Sequence, residues 1–150
     1  MRAVTRDFDY GSPTVPEGAL FVAADEPLLI FPCARAAEAH LEAIDVADGV
    51  YPAAYGPNGE HYRIRTSGQQ VVIERSGEPD RPDELKALLL RYLQAVARAP
   101  SDMESLAELS NQAWRIEHDH YGNRFRSRMP WWGWMSIMAG VAAILYLLFR

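Results

Sequence analysis

Residues 131–149 read WWGWMSIMAGVAAILYLLF, nineteen residues in which Ser136 is the one clearly polar side chain. At about 1.5 Å per residue such a run makes a helix roughly 28 Å long, close to the hydrocarbon thickness of a bilayer. A helix buried in a globular core is normally amphipathic, whereas this segment is apolar all round. The run therefore predicts a transmembrane helix, and it confines any folded domain to the residues before it. Trp131, Trp132 and Trp134 form an interfacial aromatic belt at one end of the span, and Tyr146 lies near the other.

The flanks set the orientation. Arg124, Arg126 and Arg128 precede the span and only Arg150 follows it. The positive-inside rule then places the preceding part in the cytoplasm, with residues 123–130 as a basic juxtamembrane linker. The expected topology is single-pass and tail-anchored. Fourteen arginines against one lysine, with abundant alanine, match the codon bias of a GC-rich bacterial genome, so the expected location is a bacterial inner membrane. Ser136, Gly140 and Ala143 make a narrow stripe of small residues through which two such helices could self-associate.

The remaining residues, 1–122, are enough for one domain with a real core. All 20 acidic residues precede Gly122, so this part is more acidic than the net charge of -5 conveys. That balance argues against nucleic acid, because neutralising phosphates needs clustered cations. It fits a protein partner that is basic where it docks. Cys33 is the single cysteine, which leaves no disulfide framework and no cysteine-rich metal site. Residues 1–7 contain no apolar run of signal-peptide length.

Along this domain, residues 1–18 read as an irregular arm. Ala19–Ala24 and Leu28–Phe31 read as short strands on either side of Asp25-Glu26-Pro27. Ala37, His40, Leu41 and Ile44 recur at helical spacing and predict a helix from Ala34 to Ile44, closed by Asp45–Gly49. A meander follows, with strands at Val50–Tyr55, Glu60–Thr66 and Gln69–Arg75 and turns at Gly56–Gly59 and Ser67-Gly68. In its middle strand Tyr62, Ile64 and Thr66 face one way and His61, Arg63 and Arg65 the other. Pro82 opens a helix with Leu85, Leu88, Leu89, Tyr92, Leu93 and Val96 on its apolar face. Ser101-x-x-Glu104 predicts the cap of a third helix reaching about Tyr121, with Leu106, Leu109, Ala113 and Ile116 inward and Gly122-Asn123 as its breaker. The fold class expected is α+β, an antiparallel sheet covered on one face by helices and followed by one C-terminal transmembrane helix.

Chemistry is sparse. The sequence holds no phosphate loop, nucleophile elbow or His-Glu-x-x-His, so no catalytic residue, metal or cofactor is expected. His118 and His120 stand two apart on a helix, which splays their rings about 200° apart and disfavours joint chelation. They read as a solvated helix end favoured by the C-terminal dipole. His40 reads as a core-edge residue. His61, Arg63 and Arg65 read either as a solvated strand face paired with Glu74 across the hairpin or as a small basic contact site. Glu38, Glu42 and the run from Glu78 to Glu84 are acidic contact candidates. Tyr51, Tyr55 and Tyr62 are the aromatic anchors a partner would use, or else core residues.

The stretch Ala36–Tyr51, ending LEAIDVADGVY, followed by Ala53-Ala54-Tyr55-Gly56-Pro57-Asn58-Gly59, resembles small bacterial immunity-type proteins associated with contact-dependent and type VI secretion toxins. The likeness covers roughly a quarter of the chain, a helix followed by an asparagine-glycine hairpin. It implies a non-catalytic domain that neutralises a cognate toxin; the anchor departs from that pattern. Three classes of function stay open: a protein-binding module at the membrane, a structural or assembly subunit of a membrane complex, and an enzyme with an unrecognised site.

Overall fold

A computed structural model describes residues 14–25, 28–96 and 105–127. Five strands form one antiparallel sheet: β1 (Leu20–Val22), β2 (Leu29–Phe31), β3 (Ala54–Tyr55), β4 (His61–Ser67) and β5 (Gln70–Arg75), in the order β2-β1-β3-β4-β5. Four helices accompany it: α1 (Ala34–His40), α2 (Ala43–Ala47), α3 (Pro82–Val96) and α4 (Leu106–Ser127). The α+β class and the meander are as the sequence predicts. The expected strand at Val50–Tyr55 shrinks to two residues, Ala54 and Tyr55.

Helices cover both faces of the sheet rather than one, and strand alternation decides which residue goes where. Leu20, Val22, Phe31, Ala54, Val71 and Ile73 form one cluster with Ala36, Ala37 and Leu41 of the α1–α2 segment. Phe21, Ile30 and Tyr55 point the other way and pack with Leu85, Leu89 and Leu93 of α3 and Leu109, Ala113 and Trp114 of α4. The short strands β1 and β2 are therefore apolar on both sides, which is why their sequences run without a polar break.

The single helix expected over Ala34–Ile44 is two helices. Leu41 leaves the helix at φ -73°, ψ 138° and turns its side chain into the core, 6% exposed. Restarting at Ala43 sends Ala43 and Val46 inward, and Ile44 is left 65% exposed. A Schellman motif closes α2: Gly49 N–H donates to the Val46 carbonyl at 3.2 Å and Val50 N–H to the Asp45 carbonyl at 3.0 Å. Gly49, at φ +76°, is the left-handed residue that motif requires.

Ser105, not Ser101, caps α4. Its Oγ accepts from Glu108 N–H at 3.3 Å, and Glu108 Oε2 accepts from Ser105 N–H at 2.8 Å, a reciprocal capping box. These contacts hold the Glu108 carboxyl below its usual range. The competing Ser101-x-x-Glu104 lies outside the described residues. The helix also runs through Gly122-Asn123 to Ser127, because one glycine costs a helix only about 1 kcal/mol. The compact unit carrying the sheet reaches His118, and the described part of α4 beyond it belongs to a second unit. No helix among the described residues is long and apolar enough to cross a membrane, and residues 131–149 lie outside them.

Candidate functional site

No described residue of β4 or β5 belongs to the α3–α4 cluster, so this part of the sheet leaves its second face open, with polar side chains around the half-buried Val72 opposite Arg65. His61, Arg63 and Arg65 stand there on β4, and Glu74 stands opposite Arg63 on β5. Ser67↔Gln70 closes the hairpin through Gly68-Gln69, with Gly68 at φ +63° as a two-residue loop with one left-handed position requires. Arg65 Nη2 meets Glu74 Oε1 at 3.1 Å, so the pairing expected across the hairpin is present. Both side chains are about half exposed, which limits such a pair to less than about 1 kcal/mol.

The chain after β5 folds back over the other end of this row. Ser76 N–H donates to the His61 carbonyl at 2.9 Å, and the next residues bring Glu78 and Arg81 alongside. Glu78 lies 3.6 Å from both His61 Nδ1 and Arg63 Nη2, and accepts from Arg81 Nη2 at 2.6 Å. Arg81 Nη1 reaches Glu84 on α3 at 3.3 Å, and Glu84 accepts from the Tyr55 hydroxyl at 2.7 Å. The result is a continuous chain of polar contacts, Tyr55–Glu84–Arg81–Glu78–His61, linking β3 and the hairpin to the start of α3. The Tyr55 hydroxyl first, and Arg81 after it, hold the Glu84 carboxyl below its usual range. Burial, then the hydrogen bond to Glu84, pushes the Tyr55 phenol up to about 12.

His61 is not a solvated strand residue: its side chain is 15% exposed and its ring packs edge-on to Tyr55 at 5.8 Å. Its Nδ1 lies 2.9 Å from Ser76 Oγ, which also accepts from Glu78 N–H at 3.2 Å. Serine, histidine and glutamate in contact invite comparison with a hydrolytic triad. There the serine and the carboxylate must sit on opposite ring nitrogens, so that the imidazole can relay a proton. Here both meet Nδ1. The arrangement locks the connector to the hairpin and does not activate the serine.

The six residues expected at a partner site divide between the two faces. His61, Arg63 and Arg65 share the open face. Tyr55 lies beneath it in the core, 5% exposed, so it cannot present its ring as an anchor. Tyr51 and Tyr62 pack on the opposite face against the α1–α2 cluster, and Tyr51 donates to Asp45 Oδ2 at 3.4 Å. Of the acidic candidates, Glu78 and Glu84 join the polar chain, a role that charge counting alone did not assign. Glu38 instead accepts from the backbone N–H of Ile73 at 2.8 Å. His40 is exposed, its ring tilted against Phe31 at 5.4 Å. His118 keeps Nδ1 buried without a partner. The side chains of His120, Arg124 and Arg126, together with Arg128, Trp131, Trp132 and Trp134, lie outside the described residues.

The raised Tyr55 phenol makes a pH prediction. The protonated hydroxyl is favoured in the folded state, so its contribution is complete below the ordinary tyrosine range near 10 and is lost as pH rises toward 12. Tyr55→Phe should flatten the fall in urea-unfolding free energy between about pH 9.5 and 11.5. Part of the slope should survive, because burial also raises Tyr92 and Tyr51. An unchanged slope would show that the hydroxyl does not hold Glu84 in solution.

No family model, characterised protein or solved structure matches the chain.

Proposed function

We propose that the chain is a membrane-held protein-binding module, acting by docking a partner rather than by catalysis. The observation that carries this reading is the open β4–β5 face with its bordering connector. Its polar groups are locked to one another instead of converging on a cavity, yet Arg63, Arg65, Glu74, Asp80 and Glu84 remain about half exposed. Rigid, exposed charge of mixed sign supplies register and specificity to a protein interface. The surplus of acidic residues before Gly122 favours a partner that is basic where it docks. The apolar run 131–149 would hold the domain against a bilayer, on the cytoplasmic side by its arginine flank. Residues 36–59, which resemble immunity-type proteins, make up α1, α2, β3 and the turn into β4, and neutralising a basic toxin domain is the finer form of the proposal.

The test uses the full chain extracted in detergent. It should fractionate with membranes and capture a basic protein whose affinity falls at least about tenfold from roughly 50 to 500 mM salt. Asp80→Asn with Asp83→Asn should weaken that complex without altering the fold, since both residues are exposed. A salt-indifferent partner would remove the electrostatic reading. A homo-oligomer as the sole species would favour an assembly subunit, and saturable turnover of a metabolite would favour an enzyme.

A further inference from the structure

The edge of the sheet at β5 offers a second, independent site. Ser76 N–H bonds the His61 carbonyl, and that pair fixes the alternation along the hairpin. Gln70, Val72 and Glu74 then exchange backbone hydrogen bonds with β4, whereas Val71, Ile73 and Arg75 turn their N–H and C=O groups outward. An exposed row of this kind is a template for another strand, and proteins commonly blunt it. Here Glu38 reaches from α1 and accepts from the outward Ile73 N–H at 2.8 Å. The neighbouring outward amide, at Val71, lies two residues or about 6.8 Å along the strand. Among the described residues nothing accepts from it.

A cleft of about 360 Å³ opens at that position between α1 and the strand edge, and Val71, Gln70, Glu38 and Arg35 line it. The Val71 side chain is buried in the α1–α2 cluster, so what it turns toward the cleft is backbone. Arg35 is exposed and has no carboxylate within 4 Å among the described residues, unlike Arg63, Arg65, Arg75 and Arg81. The cleft thus brings together an outward N–H, an outward C=O and a guanidinium without a carboxylate partner. Glu38 at Ile73 shows which acceptor this edge takes: a carboxylate.

We infer that the β5 edge at Val71, with Arg35 beside it, docks the carboxylate-bearing end of an extended peptide. The terminal carboxylate accepts from Val71 N–H and pairs with Arg35, and a backbone N–H just before it donates to the Val71 carbonyl. This is strand addition limited to one rung, because the Glu38 side chain occupies the next.

The experiment is ¹⁵N NMR of the full chain in detergent micelles, titrated with acetyl-Val-Thr-Val bearing a free C-terminal carboxylate and with the same peptide amidated. The free-acid peptide should shift the Val71 amide saturably and the amidated peptide should not. Arg35→Gln, at an exposed position, should weaken binding about tenfold, the loss expected for one charge-assisted pair. Glu38→Ala should extend the perturbation to the Ile73 amide. A Val71 amide that ignores both peptides up to about 10 mM, or answers both equally, overturns the site. So does an affinity indifferent to Arg35→Gln. None of these results bears on the open β4–β5 face, so this inference and the proposed function fail separately.

Discussion

Replacing Trp114 with alanine is expected to cost about 3–5 kcal/mol, a large part of the 5–15 kcal/mol that holds a domain of this size together. Trp114 is 1% exposed and is the largest fully buried side chain described. It joins Leu109 and Ala113 of α4 to Leu85, Leu89 and Leu93 of α3 and to Phe21 and Ile30 of the sheet. The ring sits in the cluster shared by α3, α4 and the sheet, so the cavity left by alanine does not close by moving one element alone. Far-ultraviolet circular dichroism during urea unfolding should show the midpoint moving sharply down with an unchanged slope. Trp114→Phe keeps most of the volume and should lose less than half as much. A Trp114→Ala protein within about 1 kcal/mol of the wild type would mean that α4 does not dock on the sheet as described.

Trp114 also shows where periodicity stops being informative. Apolar spacing along α4 selects Leu106, Leu109, Ala113 and Ile116, and centres the buried stripe between Leu109 and Ala113. The buried set is Leu109, Ser110, Ala113 and Trp114, a face rotated by a few tens of degrees toward Ser110. Ser110 hid the rotation. Its hydroxyl is fully buried with no hydrogen-bond partner, a cost of roughly 1–3 kcal/mol that a pattern search treats as a mark of the surface. In α3 no polar residue interrupts the stripe, and Leu85, Leu89, Tyr92 and Leu93 are buried as their spacing predicts, whereas Val96, expected on the same face, is 49% exposed at the helix end.

The same contrast separates the two halves of the sheet. The alternation of His61, Arg63 and Arg65 against Tyr62 and Ile64 was readable, because one face of β4 is apolar and the other charged. The second helical layer was not readable. Leu20-Phe21-Val22 is apolar at every position, which is compatible with burial on both faces but carries no phase. The α1–α2 break was equally hidden, since Leu41 is buried in either arrangement and the break shows only in Ile44 turning out while Ala43 and Val46 turn in. At the open face the strand charges were legible individually. Their assembly through Ser76, Glu78, Arg81 and Glu84 depends on a fold-back of the connector, which no local pattern encodes.

That fold-back rests on Gly59, and Gly59→Ala is expected to be the most damaging single methyl group in the described structure. Gly59 adopts φ +90°, a left-handed conformation that costs an alanine about 1–2 kcal/mol. A Cβ there would also fall 2.5 Å from Pro82 N and 2.6 Å from Pro82 Cα, atoms of the backbone at the start of α3. Backbone cannot swing aside as a side chain can. The turn and α3 must separate, breaking the 2.7 Å hydrogen bond from Arg81 N–H to the Gly59 carbonyl. Arg81 then moves away from Glu84 and Glu78, and the Tyr55–Glu84–Arg81–Glu78–His61 chain opens at its centre. Gly68→Ala is the control: Gly68 is also left-handed, at φ +63°, but nothing lies within 4 Å of the place its methyl would take, so it bears the conformational cost alone. Urea unfolding should place Gly59→Ala more than about 2 kcal/mol below Gly68→Ala, and the His61 ring resonances should shift in the first variant only. Equal losses in the two variants would mean that Pro82 does not press on the turn, and that the connector reaches the hairpin by some other support.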